Sequence, residues 1–162
     1  MPVPSPIAQA AIQYGQNHDL LEKSFLGLAP DEWLKSPAEC SNNLLWIAGH
    51  IVWARSMALG FLGSLWSRPW LSLFARGAKL VDPAQYPSQE EVITAWRDVS
   101  ESLTAALENA SVEALSASSP VKSPSFDGQM SGLVSFLAFH ETYHVGQICY
   151  LRCWLGHDGV VG

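Results

Sequence analysis

Seven residues late in the sequence, Leu133, Leu137, His140, His144, Ile148, Leu151 and Leu155, recur at spacings of three and four. That rhythm is one stripe of a long α-helix, and a stripe so apolar must be buried against other helices. Two imidazoles are set into it. Their four ring nitrogens would cost several kcal/mol in total if buried without partners, on the order of 1–3 kcal/mol for each unsatisfied group. Any fold this chain adopts must therefore supply those partners. His140 and His144 are four apart, so they project from one face a single turn apart and can share a metal ion. The plainer alternative is a set of core histidines bonded to side chains or carbonyls. That suits a lone buried histidine better than a pair on a core seam.

A third ligand has to come from a facing helix. Asn42 and Asn43, with Ser41, are good N-cap residues for a helix running to about Phe61. Its main stripe is Leu44, Ile47, Ile51, Ala54, Ala58 and Phe61. Beside it runs a second stripe of Trp46, His50, Trp53 and Met57, which makes His50 the best third candidate. Two further helices are expected. One spans about Pro6 to Gly27 on a stripe of Ile7, Ala11, Tyr14, His18, Leu21, Phe25 and Leu28, and ends at Ala29-Pro30. The other opens on a capping box of Ser88 and Glu91 and buries Val92, Ala95, Val99, Leu103 and Ala106. The last helix should close at Gly156. The expected fold is all-α, a four-helix bundle in a single domain over residues 1–162. Residues 63–86, with Trp66, Trp70 and Phe74, are far longer than the roughly 2–8 residues usual between bundle helices, so they are functional or cross the bundle. A second irregular stretch, 110–129, is rich in Ser and Pro. Both could lie over one end as lids.

Composition narrows the partners. The net charge is −6, with 15 acidic against 9 basic residues, and no Lys/Arg cluster is available to track phosphates. Nucleic acid and anionic membranes are therefore not expected partners. The first residues have no basic-then-apolar pattern of a secretory signal. The richest apolar runs are broken by His50 and Arg55 or by His140, Glu141 and His144. Three cysteines without paired spacing suit a reducing compartment, and the expected setting is cytoplasmic. Seven Trp are many for a small core, so some should line a cavity or interface.

Several motifs compete for the same residues. His140-Glu141-Thr142-Tyr143-His144 also reads as HExxH, in which the Glu would activate water at a zinc site. Peptidases of that type draw a third ligand from downstream, where His157 stands just past a helix-ending Gly, and no substrate-holding strand is evident. Glu141 is then a weak candidate general base, a partner for a histidine, or a solvated charge. A di-iron site needs a second ExxH and further helical carboxylates, which the second helix does not offer. Cys149 and Cys153 read as packing thiols, and Cys40 carries no signal. His18 is a pocket or core histidine that could approach the metal. Tyr143 and Gln147 could orient an imidazole or a ligand. Arg55 is either a surface residue or an anchor for a carboxylate substrate.

The segments "AGHIVWAR" around His50 and "HETYHVGQI" from His140 resemble the DinB-like (DNA-damage-inducible) superfamily, and the resemblance covers nearly the whole chain. It implies a four-helix bundle with a long crossover between the second and third helices. It also implies a divalent metal, zinc or nickel, on His50, His140 and His144, and frequent homodimers. Characterised relatives include thiol-dependent transferases and isomerases, among them mycothiol-dependent maleylpyruvate isomerase. The resemblance does not imply DNA binding. Three histidines leave a metal position open, where the ion would acidify a bound water or thiol. The expected function is a metal-dependent S-transferase or isomerase using a low-molecular-weight thiol on a small-molecule substrate. The alternatives are a small-substrate metal-dependent hydrolase and a non-catalytic metal-binding or sensing bundle.

Overall fold

The computed structural model describes residues 3–38, 42–121 and 125–161, and among these it is helical, with one isolated bridge between Ser118 and Gln129 and no strand. The chain enters through a 3-10 turn, Ser5–Ile7, that contains Pro6, and continues as α1, Ala8–Phe25. Gly27 takes φ +75° just beyond it, a conformation that costs glycine nothing and ends the helix. A 3-10 turn at Pro30–Leu34 then buries Trp33.

α2 spans Leu44–Phe61, and Asn43 caps it by accepting the Trp46 N–H at 2.9 Å. Of the expected cap residues, Ser41 lies outside the described residues, as does Cys40. α2 is buried around most of its circumference; only Trp53, Met57, Gly60 and Phe61 escape. By length and composition it is long and apolar enough to cross a membrane despite His50 and Arg55, yet most of it is buried inside the protein itself.

α3, Gln89–Asn109, starts on the expected capping box: Ser88 Oγ accepts the Glu91 N–H, and the Glu91 carboxylate accepts the Ser88 N–H at 2.8 Å. The stretch from 110 to 129 is not wholly irregular. A short helix, α4, Val112–Ser116, is capped by Ser111 and drives Leu115 fully into the core. One buried side chain in five residues gives no periodicity, which is why the sequence hides it. α5, Met130–Trp154, is the longest helix, about 37 Å at 1.5 Å per residue. Gly156 follows it with φ +93°.

α2 packs against α3 and α5, and α1 packs against α5 and α3, so each long helix has two long neighbours. The core between them holds Leu21, Ile51, Leu59, Trp96, Leu103 and Ile148, each almost fully buried and worth about 1.5–3 kcal/mol relative to exposure. The connection between α2 and α3 is anchored by a 3-10 turn, Leu71–Phe74, which packs on α2. Phe74 is completely buried there, and the approach is possible because α2 carries Gly49: a Cβ at that position would run into the Phe74 ring.

Candidate metal centre

His50 of α2 and His140 and His144 of α5 converge, with one ring nitrogen from each within 4.8 Å of the others. Among the described residues no other trio of His, Cys, Asp or Glu comes together in this way. His50 and His144 are buried and His140 is partly exposed.

Each buried imidazole is held by its other nitrogen. His50 Nδ1 lies 2.7 Å from the main-chain carbonyl of Phe74. A carbonyl only accepts, so Nδ1 carries the proton and Nε2 keeps its lone pair. His144 Nδ1 lies 2.7 Å from Gln147 Oε1 and donates to it, which again frees Nε2. Gln147 is steadied in turn by its amide donating to the Tyr143 hydroxyl at 3.3 Å. The His50 ring is stacked between Trp46 and Trp53, with centroids 5.0 and 5.2 Å away, so its plane is fixed as well.

The donor set fits a divalent ion. His140 Nε2 and His144 Nε2 are 3.1 Å apart. Two nitrogens bound to one ion at about 2.0–2.1 Å stand about 3.0–3.4 Å apart, so the observed spacing already suits shared coordination. A proton shared between those two rings would satisfy that pair alone, leaving His50 Nε2 without a hydrogen-bond partner among the described residues. His140 Nδ1 is buried and also unpartnered. Carbonyl or amide orientation of the remote nitrogen is the arrangement that fixes histidines as metal ligands.

The electrostatics favour neutral rings. Burial pushes His144 down to about 4, with the Gln147 bond working the other way and His140 adding to the fall. Burial likewise lowers His50, partly offset by the Phe74 carbonyl, and lowers His140, helped by His50 and Arg76. At neutral pH all three therefore present lone pairs, the form a metal requires.

One cavity reaches the trio at His140, and another reaches the residues that position His144. The first, of about 540 Å³, is lined by His140, by Trp53, Met57 and Phe61 of α2, by Leu133, Phe136 and Leu137 of α5, and by Arg76 and Val121. Three of the four α2 residues that escape full burial thus line this cavity. The other, of about 560 Å³, is lined by Gln147 and Tyr143, the residues that position His144, together with Ile47 and Tyr150.

Beside the trio runs a buried polar network that touches all four long helices. Arg55 of α2 donates from Nε and Nη2 to the two oxygens of Glu141 on α5, both at 2.7 Å. It also donates to Ser100 Oγ on α3 and to the Tyr14 carbonyl on α1. Arg55 and Glu141 are 2% and 1% exposed, which corrects both the surface reading of Arg55 and the solvated reading of Glu141. Arg55 does anchor a carboxylate, but it is the protein's own. Burial lowers the Arg55 pKa, and the Glu141 charge and hydrogen bonds more than reverse this, so it stays charged. Both Glu141 oxygens are thus taken up by Arg55 in the interior and not turned to the trio's cavity.

The remaining candidates lie elsewhere. His18 stacks on Trp96 with centroids 4.6 Å apart and lines a separate cavity with Tyr14 and Arg55, away from the trio. His157 Nε2 meets the Glu32 carboxylate at 3.0 Å. Cys149 is half-buried with its sulfur 3.6 Å from Ser24 Oγ, and Cys153 is exposed. The Phe74 carbonyl was missed in the sequence, as was the role of Gly49. Their signal was the "GH" pair on an apolar helix followed by a long aromatic connection.

Fold and site together define an all-helical protein with three converging histidines that could hold a metal ion. The family model of the DinB superfamily matches residues 13–148, and the chain belongs to that superfamily. A search of curated proteins returned no match.

Proposed function

We propose that this protein is a divalent-metal enzyme that joins a low-molecular-weight thiol to a small organic electrophile, or isomerises one through such a thiol. The observation that carries the reading is a neutral three-histidine cluster with one cavity at His140 and a second at Gln147 and Tyr143, which we assign one to each reactant. Zinc or nickel is the expected ion, bound by His50, His140 and His144. Such an ion supplies the positive charge that lowers the pKa of a thiol brought to it.

The chain's own residues account for the rest. The Phe74 carbonyl and Gln147 hold two imidazoles as the tautomer that binds through Nε2. Trp53, Met57 and Phe136 give the cavity beside His140 an apolar wall, which strengthens any charge interaction made against it. Arg55 and Glu141 lock α2 to α5, the two helices that carry the ligands. We read the long helices as a four-helix bundle in one domain, with residues 63–86 as the crossover. The ring of helix contacts supports this. A homodimer is part of the reading, supported by Phe139, Tyr143, Tyr150 and Trp154, which stand exposed along α5. The acidic balance supports a small-molecule substrate in place of nucleic acid or membrane, and the cytoplasmic setting is carried with it.

Metal analysis of the purified protein and of His140→Ala tests the centre. About one equivalent in the parent and a loss of most of it in the variant are expected; equal content in both overturns the site. Cobalt-substituted protein then tests the thiol. A visible-band shift on adding a small thiol is expected. Ester or amide turnover without thiol would replace this reading with a hydrolase, and neither response would leave a non-catalytic metal-binding bundle.

A further inference from the structure

The cavity beside His140 has an asymmetric wall. Six apolar side chains from α2 and α5 make up most of it, and one cation among the described residues, the exposed Arg76, lines it from the α2–α3 connection. Among the described residues no carboxylate lines it, and Arg76 has no hydrogen bond or ion pair. The other arginines of the described chain are spoken for: Arg55 by Glu141, Arg68 by Asp98, Arg97 by Glu22, and Arg152 by main-chain carbonyls. Arg76 follows Phe74 by two residues, so the anchor that fixes His50 also holds this guanidinium at the cavity.

We propose that this cavity selects an amphipathic monocarboxylate, with the carboxylate on Arg76 and an aromatic or branched apolar body between Trp53 and Phe136, its far end toward His140. The guanidinium fork matches a carboxylate in two parallel hydrogen bonds. A phosphate monoester would bring close to two charges into a wall whose described residues supply a single cation, which disfavours it. At about 540 Å³ the space suits one small organic molecule, within the roughly 300–1,000 Å³ usual for such sites. Among the described residues the second cavity, with Tyr143, Gln147 and Tyr150, has no charged lining residue, so charge tells the two apart there. The inference deepens the proposed enzyme reading by naming its electrophile class, and the binding it claims does not depend on the metal.

The test uses the full chain with and without one equivalent of zinc, titrated with 4-phenylbutyrate and with its neutral amide, and followed by calorimetry and Trp fluorescence. The carboxylate should bind about tenfold tighter than the amide, in line with a charge-assisted pair. Arg76→Gln should erase that preference while leaving amide affinity and thermal stability unchanged. Leu137→Trp, which fills the cavity, should weaken both probes. Equal affinity for the two probes overturns the proposal, as does a preference that survives Arg76→Gln or no binding of either at millimolar concentration. A preference that appears only with zinc and survives Arg76→Gln assigns the carboxylate to the metal and also overturns it. Failure to bind zinc with the carboxylate preference intact would sink the metal reading and leave this one standing.

Discussion

Arg55 and Glu141 face each other across the α2–α5 interface through two parallel 2.7 Å hydrogen bonds, with almost no solvent access to either. Removing one partner strands a buried charge, a change that costs about 3–5 kcal/mol. Glu141→Ala should lower the urea midpoint accordingly. Replacing both by apolar residues of similar size, as in Arg55→Met with Glu141→Leu, should recover most of the loss. If Glu141→Ala kept full stability but abolished turnover, the residue would be catalytic and its structural role would fall.

Gln147 tests the support of the ligands. It accepts the His144 Nδ1–H, and loss of such a partner lowers metal affinity by about 10–100-fold. Gln147→Leu should show that drop in a competition titration with a chelator dye, with helix content by circular dichroism unchanged. Unaltered affinity would mean His144 is held by packing alone.

Gly49 tests the approach of the connection. Its missing Cβ makes room for the Phe74 ring, and Gly49→Ala should force the turn away from α2. Overpacking of this kind costs about 1–3 kcal/mol. Here it should also weaken metal binding, because His50 loses the carbonyl that orients it. A variant that binds metal normally would show that Phe74 can yield without disturbing His50.

Acid should unfold the metal-free protein earlier than its carboxylates alone require. Unfolded histidines titrate near 6.5, whereas burial keeps His50, His140 and His144 below that value in the folded chain, His144 at about 4. The unfolded state therefore binds more protons as the pH drops below 6.5. The stability is fully present above 6.5 and is lost as the pH falls through the folded values. The urea midpoint should fall between pH 7.5 and 5, and His144→Gln should flatten the slope. An unchanged midpoint across that range would contradict the burial of these rings.

Much of the architecture was legible because local chemistry and burial agree. The Ser88–Glu91 box, the Asn43 cap and the seam through Leu133 and Leu151 each announce themselves at short range. The convergence of His50 with His140 and His144 could be anticipated, since buried imidazoles need partners and the sequence offers few. What stayed hidden depends on distant or main-chain atoms. The Phe74 carbonyl has no side-chain signature, and nothing near Arg55 in the sequence points to a carboxylate 86 residues away. His18 sits on a helical stripe and still misses the centre, because Trp96 stacks on it from α3.

One imidazole ring joins the centre to the connection: His50 offers Nε2 to the trio while Nδ1–H grips Phe74. A cation at Nε2 draws electron density through the ring and makes that N–H a stronger donor. Occupancy would thereby be felt in a segment that also carries Arg76. Opening of residues 71–76 should slow when metal binds, so amide hydrogen exchange in that short stretch would register events at a site it does not itself line with a ligand.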